Sequence, residues 1–170
     1  MKNLIFISVI IIFALLQVTI LNYVNIFNIK PDLLLISVVI ASLFFQPVWA
    51  ISLSIFAGIV KDIFSVNVFG MNTILFFLYS LLIIKLSKRF SFDSNYVRLV
   101  LLFIIAVLNN IIIRLIFLFL GNFISWGIFL RITFIESLYT ALIFPLALKF
   151  AQTLSISEPR TFGHIQKTIK

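Results

Sequence analysis

The sequence predicts an all-α integral membrane protein. Of its 170 residues, 63% are hydrophobic and only 11% are charged, whereas a soluble domain carries about 25% charged residues. Intrinsic disorder is excluded as well, because disordered chains have low hydrophobicity. About 20 apolar residues cross the hydrocarbon core of a bilayer, so six crossings use most of this chain and leave room only for short loops and a tail.

The first two helices are marked by an apolar run and by a proline-aspartate pair. The first helix is predicted over residues 4–21, an apolar stretch that is too long for a signal peptide and lacks a following cleavage site. Pro31 and Asp32 open the second helix. Proline fits the first helical turn, and a carboxylate there faces the positive end of the helix dipole.

Residues 33–60 contain no charge, and Gln46-Pro47 lies at the middle of this run. Proline removes a backbone donor and disfavours helix at the preceding residue. One interpretation is a single tilted and kinked span. The other, which we favour, is a pair of short helices over residues 32–45 and 48–62 that are joined by a tight turn.

Three further spans are predicted over residues 71–84, 99–120 and 127–148, because each is an apolar stretch bounded by polar loops. The chain therefore has one transmembrane helical domain over residues 1–150. A short basic tail follows over residues 151–170.

The positive charges orient the second half of the chain. With six alternating spans, nine cations share one side: Lys2, Lys85, Lys88, Arg89, Arg98, Lys149, Arg160, Lys167 and Lys170. Three lie on the other side: Lys30, Lys61 and Arg131. Five spans give the same two totals, because Lys2 and Lys30 merely exchange sides. The positive-inside rule places the 85–98 loop and the C-terminus in the cytoplasm, and it leaves the side of the N-terminus open.

Polar residues inside the last two spans form the main candidate site. Ionisable groups within a membrane are costly and face a partner or a wet cavity. Asn110 and Arg114 share one face of the fifth span. Thr133, Glu136 and Thr140 share one face of the sixth. We predict an interhelical ion pair between Arg114 and Glu136 within a polar network that locks the bundle, lines a cavity or binds a partner's span.

Catalytic and metal-binding patterns are scarce in this sequence. It has no cysteine and a single histidine, His164, which lies in the tail. It contains no zinc, phosphate-loop or dinucleotide motif. An aspartyl dyad of Asp32 and Asp62 is disfavoured, because Asp32 suits a helix N-terminus and Asp62 has Lys61 beside it and can bond loop amides. We therefore expect no enzyme, cofactor or metal.

Three short motifs carry a resemblance to a known family. They are Lys30-Pro31-Asp32-Leu33-Leu34-Leu35 at the second helix, Gly58-x-x-x-Asp62, which we expect to form a turn, and Phe69-Gly70-Met71-Asn72-Thr73 opening the following span. With them, residues 4–150 resemble the MreD family of bacterial rod-shape-determining membrane proteins.

The resemblance implies a non-enzymatic inner-membrane protein of the elongation machinery, which builds peptidoglycan along the side wall. The implied partners are a single-span MreC-like protein, an MreB-like filament, and the RodA and penicillin-binding-protein synthases, with no nucleic acid. The family in turn resembles the substrate-binding subunits of energy-coupling-factor transporters, which implies six transmembrane helices with a short third helix. The competing interpretation is a substrate-binding subunit of a vitamin or small-solute transporter.

Overall fold

The computed structural model describes residues 2–19, 29–65, 69–90, 92, 94–121 and 125–153. Within these residues the chain forms six α-helices, so the all-α prediction is confirmed. They are α1 (Lys2–Val18), α2 (Leu33–Phe44), α3 (Pro47–Phe64), α4 (Met71–Ser87), α5 (Asn95–Phe119) and α6 (Trp126–Thr153). The tail predicted over residues 151–170 lies almost wholly outside the described residues.

The uncharged run breaks into two helices, as the favoured interpretation predicted. Phe45 and Gln46 are both extended, and Pro47 occupies the first turn of α3. The expectation of a short third helix is wrong: α3 has 18 residues and α2 has only 12. The proline ends α2 early and begins α3 at once, and α3 continues through Lys61 and Asp62 because both charged side chains have partners there.

The short helix α2 forms the centre of the bundle. Eleven of its residues are buried, all except Phe44. It contacts each of the other five helices described here. A 12-residue helix is about 18 Å long, which is shorter than the ~30 Å hydrocarbon core of a bilayer. The outer helices therefore shield α2 from lipid.

Three helices are long and apolar enough to cross a membrane by length and composition. These candidate spans are Pro47–Phe64, Asn95–Phe119 and Gly127–Phe150. Three shorter apolar helices accompany them: Ile5–Val18, Leu33–Phe44 and Met71–Ser87. Large hydrophobic side chains such as Val48, Leu142 and Leu146 are exposed on the outer helix faces, which suits a lipid environment.

Helices α3 and α4 approach each other closely at Gly58. A Cβ atom added to Gly58 would overlap the Cα atom of Thr73 and lie 2.9 Å from the Thr73 backbone nitrogen. Only glycine lets the two backbones come this near, as small residues do at helix contacts in membranes. The contact brings the end of α3 against the beginning of α4.

Candidate functional site

The N-terminus of α2 carries an ion pair. Asp32 is the N-cap residue of α2, and its Oδ1 accepts a hydrogen bond of 3.0 Å from the backbone N–H of Leu35. Its Oδ2 accepts from the Nζ of Lys61 at the end of α3. The expected helix-start role of Asp32 is thereby confirmed. Pro31 lies one position before the cap, because the cap residue itself takes a non-helical conformation.

Side chains from two other helices bind the same end of α2. The backbone N–H of Asp32 donates to Thr140 Oγ1 of α6 at 3.0 Å. The backbone N–H of Leu34 donates to Gln17 Oε1 of α1 at 3.3 Å. The first backbone donors of a helix have no partner within it, so α1 and α6 satisfy donors that would otherwise be buried unpaired.

A cavity of about 360 Å³ opens beside this junction. Its lining residues are Gln17, Ile29, Lys30, Asp32, Lys61, Arg114, Ile132 and Glu136. The Lys61 ammonium also lies 5.0 Å from the centre of the buried Phe76 ring, which is cation–π range. Five charged side chains from four parts of the chain thus surround one space at one end of the bundle.

Arg114 and Glu136 face the same cavity, but they do not form the ion pair that the sequence predicted. Within the described residues, the acidic and basic side chains that meet within 4 Å are Asp32 and Lys61. The helical spacing correctly predicted that the polar faces of α5 and α6 lie at one level. Arg114 and Glu136 both line the cavity there without contacting each other. Glu136 instead lies in the electrostatic field of Asp32, Lys61 and Arg114 together.

One further member of the predicted network, Asn110, contacts α6 through a residue that sequence reasoning missed, whereas the Thr133 hydroxyl is buried without a hydrogen-bond partner among the described residues. Asn110 Nδ2 donates to Ser137 Oγ at 3.4 Å, and Ser137 Oγ donates to the Thr133 carbonyl at 2.8 Å. Thr140 Oγ1 donates to the Glu136 carbonyl at 2.8 Å. Ser137 lies four residues after Thr133, and this i,i+4 spacing was the available signal.

Asp62 binds the N-terminus of the next helix. Its carboxylate accepts hydrogen bonds from the backbone N–H groups of Gly70, Asn72 and Thr73 at 3.0–3.1 Å. It also accepts from Asn72 Nδ2 at 2.8 Å and from Thr73 Oγ1 at 2.6 Å. The hypothesis that Asp62 bonds backbone amides after its helix is confirmed. The turn expected over residues 58–62 is wrong, because these residues belong to α3. Lys61 does not pair with it, because Lys61 reaches Asp32.

The contact between Asp62 and the beginning of α4 requires a left-handed backbone conformation at Gly70. Gly70 is the N-cap residue of α4 and has φ of 91°, a left-handed conformation that favours glycine. Asp62 is 2% exposed. Asp32 has its partners around the beginning of α2, and Asp62 has its partners at the beginning of α4, so the two aspartates do not form a dyad. In the described part of the chain, no three His, Cys, Asp or Glu side chains are grouped to hold a metal.

The opposite end of the bundle has a buried cation that the sequence interpretation counted only as a topological charge. Arg98 is 4% exposed. Its Nε donates to the Phe92 carbonyl at 2.6 Å, its Nη1 donates to Asn95 Oδ1 at 2.9 Å, and its guanidinium lies 5.5 Å from the Phe44 ring centre. Arg98 therefore fastens the beginning of α5 to the end of α2.

Comparison with protein families matches residues 1–154 to rod shape-determining protein MreD. The chain belongs to the MreD family. It is a multi-pass membrane protein with helical spans, and it is non-enzymatic, as the proteins of this family are shape-determining and catalyse no reaction. Membership gives it a role in rod shape determination, in association with the cell-shape machinery.

Neither the curated proteins nor the solved structures include a match. The expected likeness to energy-coupling-factor transporter subunits therefore has no support. The motif residues of this MreD chain come together at two junctions: Pro31 and Asp32 at the first, and Gly58, Asp62, Gly70 and Asn72 at the second.

Proposed function

We propose that this MreD protein is an inner-membrane scaffold that organises side-wall peptidoglycan synthesis during cell elongation. The family match over residues 1–154 is the observation that carries this proposal. The two buried junctions support it. They bind α2 to α1, α3 and α6, and α3 to α4, and a bundle held together in this way can offer constant surfaces to other membrane proteins.

The proposed partners are an MreC-like single-span protein, an MreB-like filament, and the RodA and penicillin-binding-protein synthases. Partners within the membrane would contact the lipid-exposed faces of the helices. The predicted network of Asn110, Arg114, Thr133, Glu136 and Thr140 would act indirectly, by holding α5 and α6 in place against α2. Its role in assembly is part of this proposal.

We also propose a topology in which all six helices cross the membrane in alternation. Both chain ends are then cytoplasmic, with residues 1–150 as one helical domain and residues 151–170 as a cytoplasmic tail. The charge tally supports the cytoplasmic position of the 85–98 loop and the tail. The cavity beside Asp32 then opens toward the outer face of the membrane.

Depletion of the protein in its native rod-shaped host tests the scaffold proposal. We expect the rods to become round, and plasmid-borne wild-type protein to restore them. The tagged protein should co-purify with the MreC-like protein and the synthases. The transporter alternative predicts instead co-purified paired ATPases, a bound vitamin, and unchanged cell shape in medium that contains the vitamin. That second set of results would overturn the proposal.

A further inference from the structure

Two opposite charges in the larger cavity, Arg114 and Glu136, do not pair with each other. Lys30, Lys61 and Arg114 contribute three positive charges, and Asp32 and Glu136 contribute two negative ones. Asp32 and Lys61 neutralise each other directly. Arg114 and Glu136 also line this cavity, and within the described residues neither side chain meets an opposite charge within 4 Å.

Arg114 is the side chain in this cavity that most clearly needs a ligand. A guanidinium has five N–H donors, and in the described part of the chain no carboxylate lies within 4 Å of this one. A cation inside a membrane protein is costly unless an anion or a polar group pairs with it. The arginine fork matches the oxygens of a phosphate or a carboxylate in two parallel hydrogen bonds.

A second cavity of about 270 Å³ adjoins the first. It runs between α1 and α3, and its lining includes four apolar side chains: Ala14, Val18, Leu34 and Phe64. It shares Gln17, Lys30 and Lys61 with the charged cavity. Val18 and Phe64 are also 37% and 50% exposed on the outer surface of the bundle. An apolar groove thus leads from the charged space to the surface of the bundle.

We propose that the two cavities together bind a zwitterionic aminophospholipid. Its phosphate pairs with Arg114, its ammonium group pairs with Glu136, and the beginning of an acyl chain lies in the groove between α1 and α3. The charged cavity has a volume of about 360 Å³, within the ~300–1,000 Å³ of small-ligand pockets. A zwitterionic headgroup supplies both charges that the wall requires, and a purely anionic headgroup leaves Glu136 without a partner.

Lipid titration of the full chain in detergent tests this proposal, with native mass spectrometry as the readout. The probes are phosphatidylethanolamine and phosphatidylglycerol with identical acyl chains, together with glycerophosphoethanolamine and inorganic phosphate. We expect phosphatidylethanolamine to bind several-fold more tightly than phosphatidylglycerol. The headgroup without chains and the free phosphate should bind weakly, because neither occupies the groove.

Matched variants assign the two charges. Arg114→Gln should lower the affinity for both lipids by about tenfold, the loss expected for a charge-assisted hydrogen bond. Arg114→Lys keeps the charge but loses the fork, so its affinity should be intermediate. Glu136→Gln should remove the preference for phosphatidylethanolamine while phosphatidylglycerol still binds. Arg131→Gln is the control, because Arg131 is an exposed cation of α6 that does not line either cavity.

Three results would overturn the proposal. One is equal affinity of the wild-type protein for the two lipids. Another is a loss in Arg131→Gln as large as that in Arg114→Gln, which would indicate general charge attraction. The third is binding of inorganic phosphate as tightly as of whole lipid. The lipid proposal is tested by lipid binding to the purified protein, and the scaffold proposal is tested by cell shape and co-purification. A failure of one can therefore be told from a failure of the other.

Discussion

Asp62 stabilises a helix other than its own. It lies in the last turn of α3, where the helix dipole disfavours an anion. Its carboxylate nevertheless accepts from three backbone N–H groups and two side chains at the beginning of α4. Because these donors belong to the positive end of another helix, the unfavourable position in α3 is offset by a favourable one at α4.

Replacement of Asp62 by asparagine should destabilise the protein. One carboxylate oxygen becomes an NH₂ donor that faces other donors, so we expect a loss of about 1–3 kcal/mol in the free energy of unfolding. Thermal unfolding of the detergent-solubilised protein, followed by size-exclusion fluorescence, measures the effect. Ser52→Ala is the control on the same helix, because Ser52 is exposed and its hydroxyl bonds only the Val48 carbonyl of α3. Equal melting temperatures for the two variants would contradict this role of Asp62.

At the scale of helices, much of the fold follows from local chemistry. Pro47 in an uncharged run predicted the break between α2 and α3, and Asp32 predicted the start of α2, because capping and proline effects act over a few residues. The Arg114–Glu136 pair was not predictable in the same way. Helical spacing gives depth and face, but whether two side chains of neighbouring helices meet depends on how each helix is turned about its axis by packing in the assembled bundle.

The difference between local effects and helix packing also explains which long-range contacts the sequence did not predict. Lys61 is adjacent to Asp62 in sequence, yet it pairs with Asp32 on a different helix. Ser137 follows Glu136, and Arg98 ends a polar loop. The contacts of Ser137 with Asn110 and of Arg98 with the Phe44 ring become visible only when the helices are assembled. The Asp62 cap was partly predictable, because a carboxylate at a helix end needs donors from outside its own helix.

The α3–α4 contact gives a prediction about helix packing. Gly58→Ala places a Cβ atom against the backbone of Thr73, so the two helices must move apart and the cap of Asp62 on α4 must weaken. We expect a clear fall in melting temperature and in the yield of folded protein.

The chain offers a matched control for this change. Gly127 lies in α6, and a Cβ atom added there meets nothing within 4 Å. Gly127→Ala should leave stability unchanged or raise it by about 0.5–1 kcal/mol, since alanine favours the helix more than glycine does. A Gly58→Ala protein as stable as wild type would disprove that the close approach limits this position.

For the whole molecule, the arrangement of the helices bears on topology. The cavity collects the end of α1, the start of α2, the end of α3, and residues near the end of α5 and the start of α6. These positions meet at one level when successive helices run in opposite directions. The charge tally alone left the N-terminus open, so the helix arrangement adds support for six alternating crossings.

Cysteine labelling of intact cells tests this topology, and the chain has no native cysteine to interfere. Phe69→Cys, before α4, should react with a membrane-impermeant maleimide, because the alternating arrangement places it outside. Lys88→Cys, after α4, should react only in permeabilised cells. Asn3→Cys decides between the two span numbers: protection in intact cells fits six spans, and labelling there would favour five and refute the alternating arrangement.

The brevity of α2 has a consequence for how the protein is made. A 12-residue segment preceded by a carboxylate is a weak signal for insertion by the translocation machinery. Lys61, which neutralises that carboxylate, emerges from the ribosome 29 residues after Asp32. We therefore expect α2 and α3 to enter the bilayer together as a hairpin, so that biogenesis of the central helix waits for the synthesis of its neighbour.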